Sequence, residues 1–388
     1  MIRRILFGLF WSILSVAALP RGFAVASPSL PGPPSGLENL LPGYIHYSAD
    51  AERDLFGTQW DESRVEREMS RLSDRVRPLL STATTGEQVV AAFNRVLLTE
   101  EGFSYDGIAG DPKNFLISSV LSRKRGNCLG LSMLYLALAE RLSVPFRGVY
   151  VPSHCFVRFE GMGDVRNVEF ASHGAAWEDD RYRREFHIGP GRPYLRSLNG
   201  TEMLGVFLNS LGAAYSKNGR EEDALHLYDE AVRFFPGLPE THFNAGVSLQ
   251  RTGRFDEATV RYRSALSLDP DLAPARGNLS IVLAIQGNFV EAISEGRRAV
   301  ELEPWNAAMR GNLATTLYAS GNIEEGIREF NAAVKIAPRN SRTREGLAMS
   351  YLALGRYEEA AKEFGVAQSL GARIEPSMLK ELERHRLP

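Results

Sequence analysis

The sequence predicts an α+β domain followed by an all-α solenoid, and two observations support that prediction. Residues 126–170 begin with apolar residues at helical spacing and then change to short segments with the alternation of β-strands. In the C-terminal half of the chain, glycine, proline and alanine recur at intervals of 34 residues. A fixed period of about 20–50 residues is typical of stacked repeats.

The N-terminus has the pattern of a secretory signal. Arg3-Arg4 precede an apolar run from Ile5 to Leu19, and Ala24-Val25-Ala26 provide the small residues of a cleavage site. We therefore expect a signal peptide over residues 1–26 and a periplasmic location. The apolar run is shorter than the roughly 20 residues of a membrane span, and the alternative is an uncleaved inner-membrane anchor facing the periplasm. Residues 27–45, rich in Pro, Gly and Ser, predict a linker.

Composition limits the classes of partner and scaffold. The net charge of −2 and the pI near 6.4 leave no broad basic field for nucleic acid or acidic lipid. Arg123-Lys124-Arg125 is only a short basic patch. Two cysteines in 388 residues exclude a disulfide-stapled fold. Residues 46–125 are mostly helical in pattern, and they precede the segment that carries the chemistry.

Cys128 is the candidate nucleophile. Leu131, Leu134, Leu138 and Leu142 recur at helical spacing, and Gly126-Asn127 before them predict a helix start that places Cys128 in the first turn. There the free backbone N–H groups and the positive helix end favour a thiolate, and the same groups can form an oxyanion hole.

The segments that follow predict a β-hairpin bearing a base and a carboxylate. Residues 146–151, 154–160 and 165–170 are β-rich, with a loop at 161–164. His154 and Glu169 then lie on neighbouring strands, where the carboxylate can orient the imidazole. Asn167, two residues earlier on the same strand face, is the alternative orienting residue. Cys155 is expected on the opposite sheet face, as a core residue or as a disulfide partner of Cys128.

Residues 85–175 resemble the bacterial transglutaminase-like superfamily. The matching elements are Gly126-Asn127-Cys128, Arg147-Gly148-Val149-Tyr150, His154-Cys155-Phe156-Val157 and Asn167-Val168-Glu169-Phe170. Residues 115–121 and 131–136 look like the branch of that superfamily often joined to tetratricopeptide repeats. The resemblance implies a papain-like α+β core, here over residues 46–198, with Cys128 as nucleophile, His154 as base and Glu169 as orienting carboxylate. Glu replaces the family's usual Asp, and many relatives in this branch have lost the cysteine, which this chain keeps.

The 34-residue period is that of tetratricopeptide repeats, with Gly in the turn, small residues at helix crossings and Pro after the second helix. We expect five repeats over residues 205–374, capped by a charged helix over 375–388. The recurring residues are Gly219, Gly253, Gly287, Gly321 and Gly355; Pro236, Pro270, Pro304 and Pro338; and Ala231, Ala265, Ala299, Ala333 and Ala367.

Three first helices of the repeats carry asparagine at the same place, at Asn244, Asn278 and Asn312. In long tetratricopeptide superhelices a similar row binds the backbone of an extended peptide, because an amide both donates and accepts. The alternative is that asparagine is simply common at this place in the repeat.

Together these features predict an exported cysteine-dependent amide hydrolase or acyl transferase whose repeats bind a protein or peptide. The rival prediction is a non-enzymatic scaffold or assembly protein with a structural transglutaminase-like domain. Neither a metal nor an organic cofactor is implied, since the chain has no metal-spaced Cys/His cluster and no Gly-rich phosphate loop.

Overall fold

The protein is described here by a computed structural model that covers residues 39–58, 61–108 and 110–385. The expected signal peptide lies outside these residues, as does most of the expected linker. The described chain forms two compact units, one ending at Asn244 and the other beginning at Ala245.

The first unit contains eight α-helices among its described residues. In chain order they are α1 (Leu40–Phe56), α2 (Glu62–Leu80), α3 (Gly86–Asn94), α4 (Ile117–Arg123), α5 (Cys128–Arg141), α6 (Asp179–Glu185), α7 (Gly200–Lys217) and α8 (Glu221–Phe234). Helix α3 continues as a π-helical segment, Arg95–Glu100.

A four-stranded antiparallel sheet lies at the centre of this unit. Its strands are β3 (Phe146–Val151), β4 (His154–Gly161), β5 (Asp164–Val168) and β6 (Ser197–Leu198), in the order β5-β4-β3-β6. Strands β1 (Ser104–Tyr105) and β2 (Arg125–Gly126) form a separate parallel pair. The β4–β5 turn has Met162 and Gly163 at φ 55° and 73°, as a two-residue hairpin turn requires. The hairpin predicted from the sequence is therefore present, within a few residues of the expected bounds.

Helix α5 is buried on every side. Its residues from Leu129 to Ala139 are all buried, and it contacts β3 and β4 as well as α1 and α2. The leucine spacing predicted the helix itself. Because a helix that is apolar all round belongs in a core, α5 is the central helix of the unit rather than an amphipathic one on its surface.

Helix α1 corrects the expected linker. Residues 27–45 were expected to lack regular structure, but α1 begins at Leu40 and contains Pro42. Proline is tolerated in the first turn of a helix, where its missing N–H has no intrahelical acceptor. The N–H groups of Leu40 and Leu41 both donate to the Glu140 carboxylate, at 3.2 Å each, so the helix start is held by a charged cap from α5.

The second unit is a stack of antiparallel helix pairs, as the 34-residue period predicts. Helix α9 (Pro239–Arg251) crosses the boundary between the units. The helices that follow are α10 (Phe255–Leu268), α11 (Ala273–Ile285), α12 (Phe289–Leu302), α13 (Ala307–Ala319), α14 (Ile323–Ile336), α15 (Ser341–Ala353), α16 (Tyr357–Ser369) and α17 (Pro376–Arg384). The five recurring glycines have φ between 71° and 85°, a conformation that L-residues with a side chain rarely adopt. The five recurring alanines are fully buried.

An arginine on three successive first helices joins each repeat's turn to its second helix. The Nε–H groups of Arg276, Arg310 and Arg344 donate to the carbonyls of Pro270, Pro304 and Pro338, at 2.9, 2.9 and 2.8 Å. The Nη1 groups of the same arginines donate to Glu295, Glu329 and Glu363, at 2.5, 2.7 and 2.6 Å. We call this arrangement the arginine clamp.

Candidate active site

Cys128 is the first residue of α5. The Asn127 side chain caps this helix by accepting from the Gly130 N–H at 2.9 Å. Among the described residues the N–H groups of Cys128 and Leu129 have no protein acceptor. Two N–H groups at the positive end of the helix are therefore available beside the thiol.

Gly130, two positions after the cysteine, has to be small because α5 lies close to the backbone at Asn114 and Phe115. A Cβ at Gly130 would lie 2.1 Å from the Asn114 carbonyl oxygen and 2.9 Å from the Phe115 Cα. Because backbone atoms cannot move aside cheaply, only glycine allows α5 to approach this segment. The Asn127 N–H donates to the same Asn114 carbonyl at 2.9 Å, which fixes the entry to the helix.

His154 and Glu169 are brought together as expected. Nε2 of His154 lies 2.7 Å from Oε2 of Glu169, and both side chains are buried. Glu169 directly follows β5 and forms an isolated antiparallel bridge with Ala175. Because Glu169 occupies Nε2, Nδ1 is the ring nitrogen that remains for exchange of a proton with a thiol.

The side chains of β4 alternate between the two faces of the sheet. His154, Phe156 and Arg158 share the face that α6 covers, where the Phe156 and Tyr182 rings stack with centroids 3.8 Å apart. Cys155 lies on the opposite face, as predicted, and is buried. That face packs against α5, so the Cys155 thiol approaches Cys128. Both cysteines are free thiols.

The thiol and imidazole pKa values shift in opposite directions. The pKa of Cys128 falls well below its usual value because the Cys155 thiol donates to it and because His154 adds a hydrogen bond and a positive charge; burial opposes the change. Burial lowers the pKa of His154, but Cys128 and Glu169 outweigh burial and raise it to about 9. A hydrogen bond to Cys128 and burial raise the pKa of Cys155. These directions favour a thiolate at Cys128 beside a protonated imidazole.

Asn167, the alternative orienting residue, has other partners. Its Oδ1 accepts from Arg158 Nε at 2.8 Å, and its Nδ2 donates to the Trp177 carbonyl at 2.7 Å and to Asp179 Oδ1 at 2.9 Å. Glu169 is therefore the carboxylate that contacts the imidazole, and Asn167 belongs to a network around Arg158.

Tyr182 and Tyr105 are two residues of the site that the sequence did not reveal. The Tyr182 hydroxyl donates to Glu169 Oε2 at 3.0 Å. Burial, followed by the charges of Cys128 and Glu169, raises the pKa of Tyr105 on β1. Neither tyrosine lies in the segment with the Cys and His pattern, and only the pairing of β1 with β2, at Tyr105 and Gly126, brings Tyr105 near Cys128.

The asparagines of the repeats are half-buried and bonded to neighbouring side chains. Asn244 Nδ2 donates to Asn209 Oδ1 at 2.9 Å within the first unit. In the second unit, Asn278 Nδ2 donates to the Tyr262 hydroxyl at 3.3 Å, and Asn312 Nδ2 lies 3.5 Å from Asn278 Oδ1. Asn278 and Asn312 therefore form a row of adjacent amides on successive repeats.

Metal sites and membrane spans are two further classes of feature. No group of three or more His, Cys, Asp or Glu side chains in the described residues is arranged to hold a metal ion. Within the same ranges, no helix combines the length and the apolar character needed to span a membrane.

Comparison with known families agrees with this architecture. A family model for the transglutaminase-like superfamily matches residues 63–183. Tetratricopeptide-repeat models match residues 207–234, 243–307, 283–341 and 341–362. The chain is thus a protein with an N-terminal transglutaminase-like domain. More particularly, it is a tetratricopeptide-repeat protein in which that domain precedes the repeats.

Among curated proteins, a UPF0162 protein of Xylella fastidiosa strain Temecula1 is 27% identical over 170 residues, which are 41% of this chain and 60% of that protein. A UPF0162 protein of Vibrio cholerae is 27% identical over 156 residues, 38% of this chain and 57% of that protein. The chain therefore spans less than two thirds of the length of these relatives.

Similar solved structures are tetratricopeptide-repeat proteins. TTC0263, a thermophilic protein of Thermus thermophilus, is 19% identical, with a TM-score of 0.41, over 46% of this chain and 97% of its own. YrrB, described as having an unusual peptide-binding site, is 20% identical, with a TM-score of 0.37, over 47% of this chain and 92% of its own.

Proposed function

We propose that this protein is a cysteine-dependent amide hydrolase or acyl transferase that acts on a peptide or protein held by its repeats. The contact between His154 Nε2 and Glu169 Oε2 at 2.7 Å carries the proposal, because it leaves Nδ1 for the thiol at the start of α5. The N-terminal pattern of residues 1–26 supports export as the setting for this activity.

The residues divide the chemistry between them. The Cys128 thiolate attacks the carbonyl carbon of the substrate, and the N–H groups at the start of α5 stabilise the oxyanion. His154 then gives its Nδ1 proton to the amine as the carbon–nitrogen bond breaks, which leaves an acyl thioester on Cys128. Glu169 keeps the imidazole in one orientation and stabilises its charge. Water or an amine, deprotonated by His154, attacks the thioester and releases Cys128.

Alkylation tests the activated thiol directly. The rate of iodoacetamide reaction at Cys128 is followed by mass spectrometry of its peptide from acid to alkaline pH, in the full-length protein. A free thiol has a pKa of about 8.5, and we expect Cys128 to react well below that pH. Cys155, whose pKa is raised by its hydrogen bond to Cys128 and by burial, provides an internal control and is expected to react only on unfolding.

Two variants distinguish the proposed enzyme function from the alternative scaffold function. His154→Gln should move the alkylation of Cys128 to higher pH, because the imidazolium no longer stabilises the thiolate. Cys128→Ser should abolish labelling at this position. Should Cys128 in the wild type react no faster than Cys155, the enzyme proposal fails and the scaffold function is the better account.

The repeats are proposed to bind an extended peptide through the asparagine row. Adjacent packed helices are about 10 Å apart, a spacing that suits an extended chain with a rise of about 3.3 Å per residue. The half-buried amides of Asn278 and Asn312 are the groups that would meet the peptide backbone, and Asn244 occupies the same place in the preceding repeat of the sequence.

We expect the triple variant Asn244→Ala, Asn278→Ala and Asn312→Ala to lose binding on a random-sequence peptide array while it keeps its melting temperature. A matched control replaces Asn288 and Asn322 by Ala. These residues lie in the turns after Gly287 and Gly321, where their side chains do not cap a helix. Equal binding by the triple variant and the wild type would show that the row belongs only to the repeat pattern.

A further inference from the structure

Tyr182 contacts the carboxylate of the active site from a helix outside the Cys and His segment. Its hydroxyl donates to Glu169 Oε2 at 3.0 Å, the same oxygen that lies 2.7 Å from His154 Nε2. The other carboxylate oxygen, Oε1, accepts from the Ala171 N–H at 2.9 Å. Protein donors therefore hold both oxygens of Glu169, and Tyr182 is bound to the one that orients the imidazole.

Packing fixes the position of the Tyr182 hydroxyl. Its ring is fully buried and stacks on Phe156 at 3.8 Å, with the planes 8° apart. Helix α6, which carries Tyr182, is tied down at its first residue, because Asp179 Oδ1 accepts from Arg158 Nη2 at 2.5 Å and from Asn167 Nδ2 at 2.9 Å. The hydroxyl is thus placed by the sheet and by the start of the helix together.

A buried carboxylate needs such donors to hold its orientation. Glu169 is only 1% exposed, so the protein itself supplies the hydrogen bonds to its oxygens. Burial and the Glu169 charge raise the pKa of Tyr182, so the phenol keeps its proton and remains a donor. Without it, Glu169 Oε2 would lose the donor that fixes its position against Nε2 of His154, and the imidazole beside Cys128 would be oriented less firmly.

We propose that Tyr182 is a positioning residue of the active site: its hydroxyl keeps the Glu169 carboxylate directed at Nε2 of His154, so that Nδ1 serves the thiol. This inference rests on the proposed function. It adds a fourth side chain, supplied by α6, to the three drawn from α5 and the hairpin.

The test measures the pH dependence of Cys128 alkylation in full-length variants. Tyr182→Phe removes only the hydroxyl and keeps the ring that stacks on Phe156. Tyr215→Phe is the matched control, because Tyr215 is also buried and donates to a carboxylate, Asp54 Oδ2, at 2.9 Å. At acid pH we expect about tenfold slower alkylation in Tyr182→Phe, the effect of losing one hydrogen bond to a charged group. Tyr215→Phe should match the wild type.

The variant Glu169→Gln tests whether Tyr182 acts through Glu169. In Glu169→Gln, the further change Tyr182→Phe should have no additional effect on alkylation. Unchanged alkylation in Tyr182→Phe, or a slowing that survives in the Glu169→Gln background, would overturn the inference. Slow alkylation already in the wild type would instead remove the proposed function itself, so the two failures are distinguishable.

A third variant keeps the inference testable if Tyr182→Phe destabilises the fold. If Tyr182→Phe lowers the melting temperature, 3-fluorotyrosine at position 182 retains the ring and the hydroxyl but makes the hydroxyl a stronger donor. Alkylation at acid pH should then be faster than in the wild type. An unchanged rate in this variant would count against a role for the hydroxyl.

Discussion

At the scale of single residues, the main feature that the sequence did not predict is the effect of a second thiol, Cys155, on Cys128. Cys155 was predicted as a core residue or as a disulfide partner. It is buried and free, and its thiol is the largest cause of the low pKa of Cys128. The pKa of Cys128 is lowered and that of Cys155 is raised. A thiolate is therefore favoured at Cys128, which lies at the helix start beside His154, rather than at Cys155, which is only 2% exposed.

Replacing the neighbouring thiol should therefore lower the reactivity of the Cys128 thiol. In Cys155→Ala the hydrogen bond to the Cys128 thiolate is lost, so the pKa of Cys128 rises and its alkylation at acid pH slows, by about tenfold for one bond to a charged acceptor. At alkaline pH, where every thiol is ionised, the two proteins should react alike. A Cys155→Ser variant, which restores a donor, should recover much of the rate. Equal rates for wild type and Cys155→Ala at acid pH would contradict this account.

The sequence predicted the candidate residues that have a chemical signal and missed the neighbour that packing brings to them. Cys128, His154 and Glu169 were candidates because a thiol, an imidazole and a carboxylate follow one another in one short segment. Tyr182 was not found, because an aromatic residue on a short helix has no periodic or chemical signal. Its role depends on the stacking with Phe156, which only the fold creates.

At the scale of elements, the arginine clamp is the feature repeated most regularly. Arg310 is half-buried and joins the Pro304 carbonyl to Glu329. Each clamp holds the turn before its own repeat, so the contact fixes the angle at which the chain enters a first helix. Proline carbonyls need such a donor, since the turn leaves them outside the helical hydrogen bonds.

We expect Arg310→Ala to lower the free energy of unfolding of the repeats by about 1–2 kcal/mol, because a hydrogen bond and a partly buried ion pair are lost together. The matched control is Arg263→Ala, which removes an exposed ion pair to Glu291 and should cost less than about 0.5 kcal/mol. Urea unfolding followed by circular dichroism measures both. Equal losses for the two variants would show that the clamp adds nothing to an ordinary surface pair.

Element bounds followed the sequence closely where the periodicity was strong. The repeats and the hairpin lie near their expected positions, because the glycine turns and the change of period mark their ends. The start of α1 was missed, since Pro42 argued against a helix and the cap comes from Glu140, which is 100 residues beyond Leu40 in the chain. Long-range caps of this kind leave no local pattern.

At the scale of the whole molecule, the last helix closes the stack of repeats. Leu382 of α17 is buried in a cluster with Phe364, Ala367 and Ile374, and Met378 and Leu379 pack against the same cluster. The opposite side of α17 carries charged residues such as Lys380 and Glu383. This fits the capping role expected for residues 375–388, of which Pro376–Arg384 form the observed helix.

Removal of the cap should make the protein associate. A chain ending at Arg373 would expose Phe364 and Ala367, and terminal repeats without a polar outer face are poorly soluble. We expect this protein to elute from a sizing column as larger species that depend on concentration. A control with Lys380→Ala and Glu383→Ala, which keeps the apolar contacts, should elute like the wild type. Identical elution of the truncated and intact proteins would show that α17 is dispensable.

The close approach of β3 to α7 bears on how this protein can diversify. A Cβ at Gly148 would lie 2.1 Å from the Met203 sulfur, and one at Gly43 would lie 2.6 Å from Leu204 Cδ2. Met203 and Leu204 of the first repeat are therefore tightly packed against the domain that carries Cys128. The helices of the first repeat can therefore change little without disturbing that domain, whereas in the second unit each repeat contacts mainly its neighbours, so that duplication or loss of a whole repeat is the simplest route to a new surface.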